Sequence, residues 1–152
     1  GEEKFSRQIA RNIVEARKDK PIRTTFELSD IICESVPAAV RRAGHPARKS
    51  FQAIRIAVNG ELDALPPMLE AATKGLRPGG RLAVITFHSL EDRIVKNFMR
   101  SGNFEGKIEK DFFGRATTPF EIVTRKPVVP TAEELEANPR SRSAKLRAAT
   151  KL

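Results

Sequence analysis

The chain has 152 residues, a formal net charge of +9 and a sequence pI of about 10.2, with 39% hydrophobic and 31% charged residues. That hydrophobic content excludes a disordered chain, and the charge makes a polyanion such as nucleic acid the expected partner, against a basic surface that is merely solvated. Cys33 is the single cysteine, which excludes an internal disulfide; with no signal-peptide pattern and no apolar run of membrane length, a soluble protein in a reducing, cytoplasmic setting is expected.

From Glu2 to Lys18, Phe5, Ile9, Ile13 and Ala16 recur at helical spacing, and Pro21 stops the pattern. Thr24 and Glu27 have the form of a capping box opening a second helix through Phe26, Leu28, Ile31 and Ile32. Cys33 falls on that helix beside Ile31, Ile32 and Val36, where an inert thiol is expected. Arg41 to Pro46 reads as a basic loop. A long helix follows, with Phe51, Ile54, Val58, Leu62 and Leu65 as its apolar stripe. Arg48, Gln52, Arg55 and Asn59, spaced by four, three and four, line another side of it and can reach a common partner.

Pro66-Pro67 interrupts, and Met68, Leu69, Ala72 and Leu76 form a shorter helix ending at Arg77-Pro78-Gly79-Gly80, which suits a type II turn. Leu82 to Phe87 predicts a strand buried on both faces, as in a parallel sheet covered by helices. His88 and Ser89 follow at its carboxyl end, the edge where open α/β sheets hold ligands. Ser89 with Asp92 fits a helix cap; His88 has no such cap pattern, and a ring satisfied by a neighbouring backbone group stands equally beside a substrate contact, for which His88 is the best candidate. Cys33, His45 and His88 share no zinc-like spacing, so no metal is expected.

Ser101 to Pro119 loses periodicity and reads as a mobile surface excursion. Phe120 to Lys126 predicts a strand, Thr131 with Glu134 caps a short helix ended by Asn138-Pro139, and Ser143 to Ala149 reads as a last strand; if the two strands pair, that helix lies over one end of the hairpin. Arg140 and Arg142, in a serine-flanked turn, could hold phosphate bidentately, and an ordinary basic terminus explains them about as well.

Four ordered blocks carry a resemblance: His45-Pro46-Ala47-Arg48-Lys49-Ser50-Phe51-Gln52 running on through Arg55 and Asn59 to Leu62, Leu76-Arg77-Pro78-Gly79-Gly80-Arg81-Leu82, Phe87-His88-Ser89-Leu90-Glu91-Asp92-Arg93, and Asn138-Pro139-Arg140-Ser141-Arg142-Ser143. In this order they resemble the ribosomal RNA small subunit methyltransferase H family, also called MraW, along the whole chain. The resemblance implies a partial class I, Rossmann-like α/β sheet whose last strand runs antiparallel, carrying an α-helical insertion. Residues 1–65 would be the insertion, handling RNA through His45, Arg48, Gln52, Arg55 and Asn59, with Arg140 and Arg142 in the C-terminal part; residues 66–152 would belong to the catalytic fold. The implied reaction is S-adenosylmethionine-dependent methylation of a cytidine N4 in the decoding region of 16S rRNA, on the small ribosomal subunit.

Family members carry their Gly-rich donor-binding turn, ribose-holding acid and reactive loop ahead of the position equivalent to Gly1. No cofactor-binding residue is therefore expected here, the catalytic residue stays unassigned, and the isolated chain is expected to be inactive. Exposed sheet edges would favour a homodimer or association with an N-terminal half. The competing reading is a non-catalytic RNA-binding or ribosome-assembly module. Against it stands the absence of Tyr and Trp, with the Phe residues falling mostly on apolar faces.

Overall fold

In the computed structural model, which describes residues 3–152, the first of two units is wholly helical and the second mixes helix and strand. The units are Gly1–Gly60 and Glu61–Leu152.

In the first unit, α1 (Ser6–Asp19) ends where Lys20 turns to extended backbone, as the residue before a proline does. Glu2, taken as the start of this helix, lies outside the described residues. The expected capping box opens α2 (Thr25–Glu34): Thr24 Oγ1 accepts the Glu27 amide at 3.1 Å while Glu27 Oε2 accepts the Thr24 amide at 3.1 Å. Arg41 and Arg42 are not in a loop; they belong to α3 (Ala38–Ala43), so the linker shrinks to Gly44–Pro46. α4 spans Ala47–Asn59 and stops at Gly60, whose φ of 61° no branched residue would take readily. The apolar stripe expected to run to Leu65 on one helix is therefore broken: Leu62 lies beyond α4, and Leu65 starts the next helix. Ile9, Ile32, Val36 and Ala47 are buried at the centre of this unit, ringed by Phe5, Ile13, Leu28, Val40 and Phe51.

In the second unit, α5 (Leu65–Gly75) carries Pro66 and Pro67 in its first turn, where backbone N–H groups have no helical partner; the prolines open this helix rather than interrupt it. The Arg77–Gly80 turn is of the expected type, with Gly79 at φ 80° and the Gly80 amide donating to Arg77 O at 2.8 Å. Then follow β1 (Arg81–Thr86), α6 (Ser89–Ser101), a hairpin of β2 (Glu109–Lys110) and β3 (Ala116–Thr117), β4 (Phe120–Ile122), α7 (Ala132–Ala137), a 3-10 turn (Pro139–Ser143) and β5 (Lys145–Lys151).

The sheet order is β1-β5-β4, with β5 antiparallel to both neighbours and Ala149 opposite Leu82 on one side and Ile122 on the other. β1 and β4 thus run the same way. The last two strands do pair, but β4 is shorter than predicted and β5 begins two residues later, because Ser143 closes the 3-10 turn. Leu69, Leu82, Val95, Phe98, Met99, Phe120 and Ala149 form the core, with the Phe98 ring stacked 4.9 Å from Phe104 and tilted 6.0 Å from Phe120. Lys151 reaches back to bond the Thr73 and Leu76 carbonyls, both at 2.7 Å, closing the C-terminal end of α5.

Two expectations are corrected here. β1 is not buried on both faces: Leu82 and Thr86 face inward, but Ile85 is 59% exposed, since the packed helix α6 covers the other side of the strand. Nor is 101–119 without order. Asn103 Oδ1 accepts the Gly106 and Lys107 amides at 2.9 and 3.1 Å, and Asp111 Oδ1 accepts those of Phe113 and Arg115 at 2.9 and 2.8 Å. These side-chain acceptors replace the hydrophobic periodicity that the segment lacks.

Candidate functional site

β1 delivers the chain to His88 at its carboxyl end, and α6 starts immediately after. His88 itself is the N-cap: its Nδ1 accepts the Glu91 amide at 3.3 Å, and Glu91 Oε2 accepts the amides of Phe87 and His88 at 2.8 and 3.2 Å. The expected cap by Ser89 with Asp92 is thus displaced one residue upstream, and His88 is satisfied by a neighbouring backbone group, one of its two expected readings. Imidazole nitrogen substitutes for the usual hydroxyl or carboxylate, which is why composition alone did not show it.

The same ring is 8% exposed, and its Nε2 has no hydrogen-bond partner among the described residues, standing 3.3 Å from Glu91 Oε1 and 3.8 Å from Glu61 Oε2. Glu61, His88 and Glu91 bring ligand atoms within 4.8 Å of one another, a grouping that could hold a metal ion and that a search for Cys and His spacing passes over. The cap argues against that use. With Nδ1 accepting a backbone N–H, the neutral ring carries its proton on Nε2, and a metal-ligating nitrogen must be bare. The arrangement is better suited to a fixed N–H donor between two carboxylates.

One turn into α6, Asp92 meets Arg147 of β5 in a bidentate pair, Nε to Oδ1 at 2.6 Å and a terminal guanidinium nitrogen to Oδ2 at 3.0 Å, with Lys145 3.9 Å away. The hydrogen bonds from Arg147 hold the Asp92 carboxyl below its ordinary range. This pair ties the helix that begins at His88 to the central strand of the sheet.

The predicted polar stripe is on the surface of α4: Arg48, Arg55 and Asn59 are exposed and Gln52 is half-buried. His45 and Arg48 line a hollow of about 430 Å³ together with Lys4 and Lys49, so the structure gathers more positive charge here than the stripe alone indicated. Arg140 and Arg142 are exposed on the 3-10 turn. His45, Arg48, Gln52, Arg55 and Asn59 belong to the first unit, and His88, Arg140 and Arg142 to the second.

The paired glycines do not form a nucleotide cradle. They precede β1, and the Gly79 amide and Gly80 carbonyl are taken up by the Lys151 carbonyl and amide at 2.8 and 2.7 Å, closing the end of the sheet. These residues do not fit an S-adenosylmethionine site. Among the described residues, no helix is long and apolar enough to cross a membrane.

A model of the MraW methylase family matches residues 1–152. The chain is 56% identical over 156 residues to "Ribosomal RNA small subunit methyltransferase H" of Paenibacillus sp. (strain JDR-2). It is 57% identical over 155 residues to the protein of that name from Lactobacillus acidophilus, and 56% over 152 residues to that from Bacteroides thetaiotaomicron. These alignments cover 100%, 100% and 99% of this chain but 49% of each relative, so the chain spans about half the length of the curated relatives it matches.

Proposed function

The chain belongs to the MraW methylase family, and from that membership we propose that it forms part of an S-adenosylmethionine-dependent methyltransferase acting on 16S rRNA of the small ribosomal subunit. The proposed reaction is methylation of the exocyclic N4 of a cytidine in the decoding region. The methyl donor is held by the part of the longer relatives that this chain does not match, since Gly79 and Gly80 are committed to the sheet. The isolated chain is then inactive.

Within these residues the division of labour follows the two units. The helical unit acts as the insertion that engages RNA, through His45, Arg48, Gln52, Arg55 and Asn59, and Arg140 and Arg142 add phosphate contacts from the second unit. The second unit supplies the end of a class I sheet, a reading supported by a last strand that lies antiparallel between two strands running together. His88 orients the substrate. A cytosine amino group is a poor nucleophile, and what this chain can contribute is its placement: a buried ring with a fixed N–H, set at a strand end, suits a substrate acceptor atom.

The observation that carries the proposal is the family match along all 152 residues. The test measures fluorescence anisotropy of a labelled decoding-region RNA with this chain across a salt series. A linear fall of log affinity with log salt, weakened in Arg48→Ala/Arg55→Ala, is the expected result. Tritium transfer to small-subunit RNA should appear only when the remaining part of a relative is added. RNA binding without transfer under that condition would instead favour the assembly-module reading, which gains some support from Phe26, Phe87, Phe112 and Phe113 being exposed.

A further inference from the structure

We infer that the hollow between α6 and the β4–β5 edge binds one nucleotide of single-stranded RNA, its phosphate held by Lys96, Arg100 and Arg125 and its base laid on Ile122 and Ala148. The inference rests on the proposed RNA substrate and adds a contact site in the second unit, apart from the α4 stripe.

The hollow measures about 340 Å³ and is lined by Lys96, Met99 and Arg100 from α6, by Ile122, Thr124 and Arg125, and by Arg147 and Ala148 of β5. Four of these eight residues are cations and none is an acid. Arg147 is neutralised by Asp92, whose carboxylate also attracts Lys96, but Arg100 and Arg125 enter no salt bridge among the described residues. Lys96 and Arg100 stand four apart on one helix, a like-charge spacing that weakens a helix unless an anion lies between. A basic surface kept only for solubility would spread these charges outward; here they ring a concave floor whose accessible carbon is that of Ile122 and Ala148, over the buried Met99. The wall is rigid, because the Ala148 amide donates to Thr124 Oγ1 at 2.9 Å and the Thr124 amide donates to Ala148 O at 3.1 Å. Guanidinium forks match phosphate oxygens, and the exposed aliphatic side chain of Ile122 beside them favours a ligand with a base over bare phosphate.

The experiment titrates uridine 5′-monophosphate and, separately, inorganic phosphate onto the isotopically labelled chain, following the amides of Thr124, Arg125 and Ala148. The monophosphate should shift all three at about tenfold lower concentration than phosphate. Arg100→Ala/Arg125→Ala, two surface changes whose fold is checked by circular dichroism, should abolish the shifts and lower the salt slope of RNA binding by about 0.7, the share of one phosphate. Unmoved amides, equal action by inorganic phosphate, or an unchanged slope would each overturn the site. RNA binding lost in Arg48→Ala/Arg55→Ala but intact in the pocket pair removes this site and leaves the proposed function standing. Monophosphate binding by a chain that retains no RNA does the reverse.

Discussion

Asp92 and Arg147 stand 55 positions apart and meet in a buried bidentate pair that joins the first turn of α6 to the middle of β5. Because both charges are desolvated, deleting one leaves the other unpaired. Asp92→Ala should lower stability by about 3–5 kcal/mol, read as a fall in the urea midpoint at constant slope. The double change Asp92→Leu/Arg147→Met should recover most of that loss. If the single and double variants unfold together, the pair is not the tie between helix and sheet.

His88 carries two assignments that substitution can separate. As the N-cap it can be replaced by Asn, a strong capping residue, whereas Ala leaves the Glu91 amide without an acceptor. His88→Asn should therefore stay within about 0.5 kcal/mol of the parent and His88→Ala should lose about 1 kcal/mol. In the complete enzyme both should lose methyl transfer if the ring orients substrate. Full activity in His88→Asn would reduce the histidine to a cap.

How far this was legible beforehand depends on the range of the interaction. The Thr24–Glu27 box, the Pro78-Gly79 turn and the pairing of the last two strands were readable because each is local or carries its period in adjacent residues. The misassignments share a cause: the deciding partner was distant or unusual. Ser89 looked like the cap because hydroxyls usually are, and the cap proved to be an imidazole. Nothing local marks Arg147, which follows Arg140, Arg142 and Lys145 in a basic stretch, as the partner of Asp92. For the α4 stripe, spacing showed that Arg48, Gln52, Arg55 and Asn59 share a side, but the added charge of Lys4 beside His45 depends on tertiary packing.

Acid should expose two carboxylates. Glu27 is held down to about 2 by the Lys20 ammonium and by the Arg23 and Thr24 amides, and Asp92 is lowered chiefly by Arg147. A carboxyl depressed in the folded state stabilises above its unfolded value and loses that contribution as pH falls toward the folded one. For Glu27 the window runs from 4.5 down to about 2. Thermal unfolding followed at intervals across it should show a falling midpoint, with a flatter decline in Glu27→Gln. An identical decline in that variant would mean the capping box contributes nothing in acid.

The open flank of the sheet leads to the last prediction. β1 pairs with β5 alone, so its other edge keeps unpaired N–H and C=O groups, and on the same strand Ile85 and the adjoining Phe87 are 59% and 54% exposed. An unpaired edge beside exposed apolar side chains is a template for another strand, which natural sheets block with charge, proline or cover. Neither a charge nor a proline interrupts residues 82–87, which are apolar apart from Thr86. The chain alone should therefore self-associate, with a weight-average mass in sedimentation equilibrium that climbs with concentration. Ile85→Lys, which points a charge outward without touching the Leu82 side, should return it to a monomer while leaving the unfolding midpoint nearly unchanged. A mass that stays monomeric in the parent at high concentration would show that the edge is protected.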